Sequence, residues 1–266
     1  MSALPPANLR ELLALRPSGT DAFVGATPNY GRGRVYGGQV VAQALRAAGA
    51  TVTDGHRAHS LHANFILAGK PGEPIRYEVD RIRDGRSFTT RRVVAHQADG
   101  AILNLDASFH LPEREVVAPG APLPQVLPDP ESLPRSDWEA FGDVREIALT
   151  RPADPPRSLM WIRALDPLGD DPADHACALA YLSDHNPMDA IIASHPLGLS
   201  WDTLMTASLD HALWIHRPFR ADEWLLFDLR AGGLHDARGL AMGTVHDRLG
   251  THVASIAQEG LVRSPR

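Results

Sequence analysis

The sequence predicts an α+β protein of two tandem modules, each with an antiparallel sheet wrapped around a central helix. Two observations lead to this fold class. First, a nearly all-apolar helix from Gln39 to about Ala50 precedes four strand-like segments, and a helix that is apolar on most sides must be buried. Second, the same order of helix and strands recurs in the second half of the chain. Such a repeat indicates an internal duplication.

The first half of the chain opens with a short predicted helix. Asn8 is a preferred N-cap residue, and the leucines of the following segment LRELLAL have helical spacing. After the apolar helix, turns rich in Gly, Pro or Asp separate four predicted strands, HSLHANFIL, PIRYEVDRIRDG, RSFTTRRVVAHQADG and AILNLDASFHL. The last strand alternates clearly, and one face carries Leu103, Leu105, Ala107 and Phe109.

A segment dense in proline separates the two predicted modules. We predict an N-terminal module over residues 1–115, a proline-rich linker over 116–135 and a C-terminal module over 136–266. In the C-terminal module, the predicted central helix is HACALAYLSDHN, and the predicted strands are MTASLDHALWIH, EWLLFDLRAG, ARGLAMGTVHDRLG and THVASIAQEGLV. Aligning SLHANF with SLDHAL gives an offset of roughly 148 residues between the repeats.

Composition limits the classes of function. The chain has 266 residues, 44% of them hydrophobic and 22% charged, as in a globular protein with a core. The net charge of -6 argues against a nucleic acid partner, because neutralising phosphates requires clustered Lys and Arg. No segment approaches the roughly 18 to 20 apolar residues of a membrane helix. We therefore expect no membrane insertion.

The cellular location follows from short sequence signals. The only cysteine, Cys177, lies in the apolar segment HACALAYL and is predicted to be a buried, inert thiol. The N-terminus lacks the basic and apolar regions of a signal peptide, and LVRSPR is not a peroxisomal address of the SKL type. A cytoplasmic location is the expectation.

Several common catalytic motifs are absent from the sequence. It contains no G-x-S-x-G elbow, no H-E-x-x-H pair and no P-loop. We therefore expect no serine nucleophile, no metal and no cofactor. The 13 histidines are scattered. Those at strand spacing, His59, His62, His211 and His216, are interpreted as structural.

Three polar residues fall where the second module should be buried. Asp184 ends the predicted helix, Ser208 shares a strand face with Asp210 and Trp214, and Gln258 lies in the last strand. A carboxylate, a hydroxyl and a carboxamide together can hold one water molecule, and the carboxylate can accept its proton during attack on a carbonyl. The spacing alone leaves open that each residue only makes structural hydrogen bonds.

The sequence resembles the acyl-CoA thioesterase II family, the double hot-dog hydrolases of fatty acyl-CoA. The resemblance extends from about Phe23 to Arg263 and rests on segments in family order: VYGGQVVAQAL, HSLHANFILAGKP, DGRSFTTRRVVAHQ, SLDHALWIHRPF, EWLL, ARGL and VASIAQEGLVR. It implies a double hot-dog fold and a role in fatty acid metabolism. It also implies that Asp184, Ser208 and Gln258 are the catalytic residues. They would hold a water that attacks the thioester directly, without an acyl-enzyme.

The resemblance leaves the acyl-CoA binding groups to be placed. The N–H groups at Gly37 and Gly38, at the start of the first apolar helix, are candidate oxyanion donors. The alternative is that the two glycines only permit close helix packing. Arg32 and Arg34 in the preceding loop are candidates for contact with CoA phosphates, the alternative being a solvated loop.

Two other functions stay open at this point. The segment YLSDHNPMDAI is similar to the signature of hot-dog 2-enoyl-CoA hydratases in Asp184, Asn186 and Pro187, but Asp189 stands where the hydratase needs its His. The other alternative is a non-catalytic acyl-CoA-binding protein. Because hot-dog sheets pair edge to edge, association into a homo-oligomer is a further prediction without a specified size.

Overall fold

The computed structural model describes residues 6–29, 33–53, 55–113, 118–123, 127–136, 140–148, 156–198 and 200–264. The chain forms two compact units. Unit 1 comprises Met1–Arg114 and Asp166–Tyr181, and unit 2 comprises Glu115–Leu165 and Leu182–Arg266. Among the described residues, no helix is both long and apolar enough to cross a bilayer.

Unit 1 is an antiparallel sheet that carries a buried helix. Its strands are β1 Arg16–Pro17, β2 Ala22–Gly25, β3 Arg57–Phe65, β4 Ile75–Asp84, β5 Phe88–Gln97 and β6 Gly100–His110. They lie in the order β1-β2-β4-β5-β6-β3. The helices are α1 Leu9–Leu13, α2 Gly37–Gly49 and α3 Pro172–Leu182, whose last residue groups with unit 2.

Helix α2 is the central helix of unit 1, as the sequence predicts. It packs on β4, β5 and β6, and its buried Gln43 is satisfied within the unit. The Gln43 Nε2 donates to the Leu12 carbonyl at 2.6 Å, and its Oε1 accepts from the Tyr77 hydroxyl at 2.6 Å. The predicted cap is also confirmed, because the Asn8 side chain accepts from the Glu11 N–H.

Unit 2 also consists of antiparallel strands with a helix packed on them. Its strands are β7 Gly142–Glu146, β8 Arg157–Ala164, β9 Met205–Ser208, β10 Asp210–Ile215, β11 Leu225–His235, β12 Arg238–Asp247 and β13 His252–Arg263. They follow the order β10-β13-β12-β11-β8-β7, and β9 also pairs with β13. Helix α4, Pro187–Ala193, packs on β8, β11, β12 and β13.

The helix on the second sheet is not the one that the sequence predicts. We expected HACALAYLSDHN to be wrapped by this sheet, but that segment forms α3, which groups with unit 1. The chain leaves the helical path over residues 183–186, and a new helix starts at Pro187. Proline favours the first turn of a helix, where its missing N–H costs nothing. The prediction was therefore wrong about which helix is central in the second sheet.

The proline-rich segment packs against unit 2. Leu123, Leu127 and Leu133 contact an apolar cluster formed by Leu159, Trp161, Trp224 and Leu226. The Trp161 indole donates to the Pro128 carbonyl at 3.1 Å, and a short 3-10 helix spans Pro130–Ser132. The described part of this segment thus covers tryptophan side chains of the second sheet.

Candidate active site

Gln258 lies at the centre of a buried hydrogen-bond network in unit 2. Its side chain is fully buried on β13, and its Nε2 donates to the Ser208 Oγ at 2.9 Å. Its Oε1 lies 2.6 Å from the His211 Nδ1. The His211 Nε2 in turn lies 2.8 Å from the Ser183 Oγ. The network therefore runs from Ser183 through His211 and Gln258 to Ser208.

An irregularity in one strand puts Ser208 and His211 on the same side. Strand β9 ends at Ser208, paired with Gly260, and the ladder resumes beyond Leu209, with Ala212 opposite Ala257. The extra residue lets Ser208 and His211 both reach Gln258. The predicted alternation, which grouped Ser208 with Asp210, was therefore wrong. The Asp210 carboxylate instead accepts from the Glu259 N–H at 2.7 Å.

Asp184 is the chain neighbour of Ser183, the residue at one end of this network. It directly follows Ser183 in the turn between α3 and α4, and its side chain is buried, with 9% of the residue exposed. The structure thus joins two of the three predicted catalytic residues, Ser208 and Gln258, by a hydrogen bond. It also places Asp184 next to the residue that contacts His211.

Burial keeps the His211 imidazole neutral. Because desolvation disfavours the charged ring, the pKa of His211 is lowered from 6.5 to about 4, although the hydrogen bond to Gln258 and the charge of Asp210 act in the opposite direction. A neutral imidazole has one donor and one acceptor nitrogen. Since Nδ1 faces an amide oxygen, it must donate. The Nε2 then accepts from the Ser183 hydroxyl.

We predicted a structural role for His211, and its place in this network was not predicted from the sequence. Spacing along a regular strand puts His211 on the face opposite Ser208. Only the irregularity at Leu209 reverses that relation. The available signal was the position of His211 in the segment SLDHAL, three residues after the predicted catalytic Ser208.

The equivalent positions in unit 1 are apolar. On β3, Ala58 pairs with Phe109 and Leu61 with Ala107, on either side of an irregularity between Ala58 and Ser60. This ladder aligns Leu61 with His211 and Ala107 with Gln258. It differs by two residues from our alignment of SLHANF with SLDHAL. The described strands of unit 1 therefore carry no counterpart of the His211–Gln258 pair.

The predicted binding residues lie at the start of α2 in unit 1. At Gly38, an added Cβ would lie 2.3 Å from the Tyr181 carbonyl oxygen. The Tyr36 hydroxyl donates to the same carbonyl at 2.9 Å. Gly38 therefore permits close approach of α3, whatever else its N–H does. Arg34 is exposed, and Arg32 lies outside the described residues.

The residues of the hydratase alternative have structural contacts. Asp189 accepts a hydrogen bond from the Trp201 indole at 2.9 Å, and the Asn186 Nδ2 donates to the Ser158 Oγ at 3.3 Å. Burial raises the pKa of Asp189, while the bond from Trp201 acts against this rise. In the described ranges, no group of three His, Cys, Asp or Glu side chains is arranged to hold a metal ion.

Solved structures define the class of this protein. A hot-dog protein from Alicyclobacillus acidocaldarius superposes with a TM-score of 0.79 at 21% identity, covering 96% of this chain and 98% of that one. At this identity, the match shows the fold alone. An acyl-CoA thioesterase II from Mycobacterium marinum superposes with a TM-score of 0.84 at 37% identity, covering 96% of this chain and 98% of that one. The class is that of the hot-dog-fold thioesterases.

Sequence relatives narrow the class to a family. Domain models described as the acyl-CoA thioesterase N-terminal and C-terminal domains match residues 26–110 and 112–262. Human acyl-coenzyme A thioesterase 8 is 32% identical, with 97% of this chain and 91% of the relative covered. Acyl-CoA thioesterase 2 of Haemophilus influenzae is 32% identical, with 96% and 97% covered. The chain belongs to the acyl-CoA thioesterase II family and is a thioester-hydrolysing enzyme.

Proposed function

We propose that this enzyme hydrolyses fatty acyl-CoA to the free acid and CoA, using a water molecule held by Asp184, Ser208 and Gln258. The observation that carries the proposal is the 2.9 Å hydrogen bond from Gln258 to Ser208 in a buried network that begins beside Asp184. Buried polar groups are costly unless they are satisfied. Their concentration at one place in a family of hydrolases favours a catalytic role.

In the proposed reaction, the water oxygen attacks the thioester carbonyl carbon while the Asp184 carboxylate accepts the water proton. The carbonyl oxygen becomes an oxyanion, and the N–H groups of Gly37 and Gly38 remain its predicted donors. When the tetrahedral intermediate collapses, the carbon–sulfur bond breaks and CoA leaves as the thiolate, which takes up the proton that Asp184 removed from the water. Arg32 and Arg34 remain predicted contacts for CoA phosphates.

The surroundings of Ser208 support attack by water over attack by the serine. A serine nucleophile requires a general base within hydrogen-bond reach of its hydroxyl. The nearby imidazole of His211 has its two nitrogens directed at Gln258 and Ser183. Ser208 accepts from the Gln258 amide instead, so its own hydroxyl hydrogen can be donated to the attacking water.

The site assignment is tested by removing the carboxylate or the carboxamide. We expect Asp184→Asn and Gln258→Ala to fold and to lose at least about 10²-fold in kcat, because each loses a proton acceptor or a water ligand. Release of free CoA from a saturated acyl-CoA is the measurement. Asp202→Asn, which changes an exposed carboxylate, is the control and should retain wild-type kcat. Near-normal turnover in either site variant would show that the assignment is wrong.

Two further properties remain predictions. The predicted cytoplasmic location rests on the short sequence signals alone. The predicted homo-oligomer rests on the edge-to-edge pairing that is common among hot-dog sheets. Sedimentation of the purified protein over a range of concentrations would measure the second.

A further inference from the structure

The proposed chemistry does not use the His211–Ser183 pair. Both side chains are nevertheless fully buried, and His211 contacts Gln258 directly. Ser183, His211 and Gln258 each have 0% exposure. The fold itself does not require an imidazole here, because unit 1 has Leu61 and Ala107 as the equivalent pair of residues on neighbouring strands. Burying an imidazole and an amide in place of two apolar side chains costs free energy unless both are hydrogen-bonded. A function for the pair would explain why it is present.

The direction of the hydrogen bonds decides what Ser208 can do. With the Gln258 oxygen facing His211, the donors run from Ser183 to His211, from His211 to Gln258 and from Gln258 to Ser208. If the amide turned over, every bond would reverse, and the Ser208 hydroxyl would donate to the Gln258 oxygen. Only the first direction leaves the Ser208 hydrogen available to the attacking water. The His211 tautomer differs between the two directions, with the proton on Nδ1 or on Nε2.

We propose that His211 and Ser183 are positioning residues that hold the Gln258 amide in the orientation seen here, with its oxygen towards His211, so that Ser208 donates to the attacking water. His211 acts through Gln258, and Ser183 acts by donating to the His211 Nε2. This inference rests on the proposed function, since it assigns the pair a part in the same hydrolysis. Neither residue touches the reacting atoms.

The first test compares two replacements of the imidazole. His211→Leu places at this position the side chain that unit 1 carries, and it removes the donor to Gln258. We expect its kcat to fall by about 10²-fold with KM changed less than about twofold, since misplacing a catalytic group has effects of this size. In His211→Asn, the side-chain amide can still donate to Gln258. Its kcat should stay within about tenfold of wild type, whereas a proton-transfer role for His211 would make Asn as harmful as Leu.

A second test reads the tautomer directly. Nitrogen NMR of the ring should find the His211 proton on Nδ1 in the wild type and a mixture of tautomers in Ser183→Ala. A proton on Nε2 in the wild type would overturn the inference even if His211→Leu failed to fold. Wild-type kcat in folded His211→Leu would also overturn it. If the wild type released no CoA, or if Gln258→Ala were fully active, the proposed function itself would fail, which is a distinguishable result.

Discussion

At the residue scale, the proposed chemistry depends on one hydroxyl and one amide. Ser208 is half-buried and accepts from Gln258, so its value lies in the hydrogen it can still donate. Threonine offers the same hydroxyl. The extra methyl group of threonine is compatible with a strand, where β-branched residues are favoured.

Replacing Ser208 separates the hydroxyl from the rest of the side chain. We expect Ser208→Thr to keep kcat within about tenfold of wild type, and Ser208→Ala to lose about 10²-fold or more. The measurement is steady-state release of CoA by the two purified variants. Equal activity in both would mean that the hydroxyl does not hold the water.

The neutral His211 links stability to pH. Its pKa is about 4 in the folded protein against an ordinary value of 6.5, so between these values the unfolded chain binds more protons. The free energy of unfolding therefore falls as the pH is lowered from about 6.5 to about 4, by about 3 kcal/mol from this group alone.

Chemical denaturation at several pH values measures this contribution. His211→Leu is the control, because it retains all other titrating groups and lacks this one. We expect the free energy of unfolding of the wild type to fall more steeply than that of His211→Leu over the window from pH 6.5 to 4. Parallel curves would show that the imidazole is not held neutral by burial.

At the element scale, the glycine of unit 1 with the least space for a side chain lies at the start of α2. A Cβ at Gly38 would lie 2.3 Å from the Tyr181 carbonyl oxygen, whereas one at Gly49, in the same helix, would lie 3.8 Å from the Phe109 ring. Gly38→Ala should therefore destabilise the protein by about 1–3 kcal/mol through overpacking. Gly49→Ala should be neutral or stabilising by up to about 1 kcal/mol, since alanine favours helix. Thermal unfolding of the two variants tests this, and a lower melting temperature for Gly49→Ala than for Gly38→Ala would contradict it.

Most elements could be predicted from the sequence, because their signals are local. The cap at Asn8, the apolar helix α2 and the alternation in β6 all follow from side-chain spacing. Helix α4 was missed because its apolar segment PMDAIIA is only seven residues long and directly follows the polar residues 183–186. The irregularity at Leu209 was missed because nothing in a single strand's spacing reports the register of its partner.

Some residues of the candidate site could likewise be predicted from the sequence, and others could not. The sequence and the family resemblance together selected Asp184, Ser208 and Gln258, and the structure joins the last two by a hydrogen bond. His211 could not be found by spacing, since its side of the strand depends on that irregularity. The roles of Gly37, Gly38 and Arg34 depend on the bound substrate, and side-chain spacing carries no information about it.

At the scale of the whole molecule, the two units carry different side chains at equivalent positions of their strands. In unit 1 the paired residues Leu61 and Ala107 are apolar. At the equivalent positions, unit 2 has the hydrogen-bonded pair His211 and Gln258. We therefore expect one hydrolytic centre per chain, in the C-terminal half. Family membership across residues 26–110 and 112–262 agrees with a fusion of two related modules.

The most direct test of the central claim is release of free CoA from a saturated fatty acyl-CoA by the wild-type protein and by Gln258→Ala. We predict steady thiol release by the wild type, without a burst of acyl-enzyme, and at least about 10²-fold less by the variant. The contradicting result is no thiol release by the folded wild type across a panel of acyl-chain lengths, or loss of enoyl absorbance alone with a 2-enoyl-CoA.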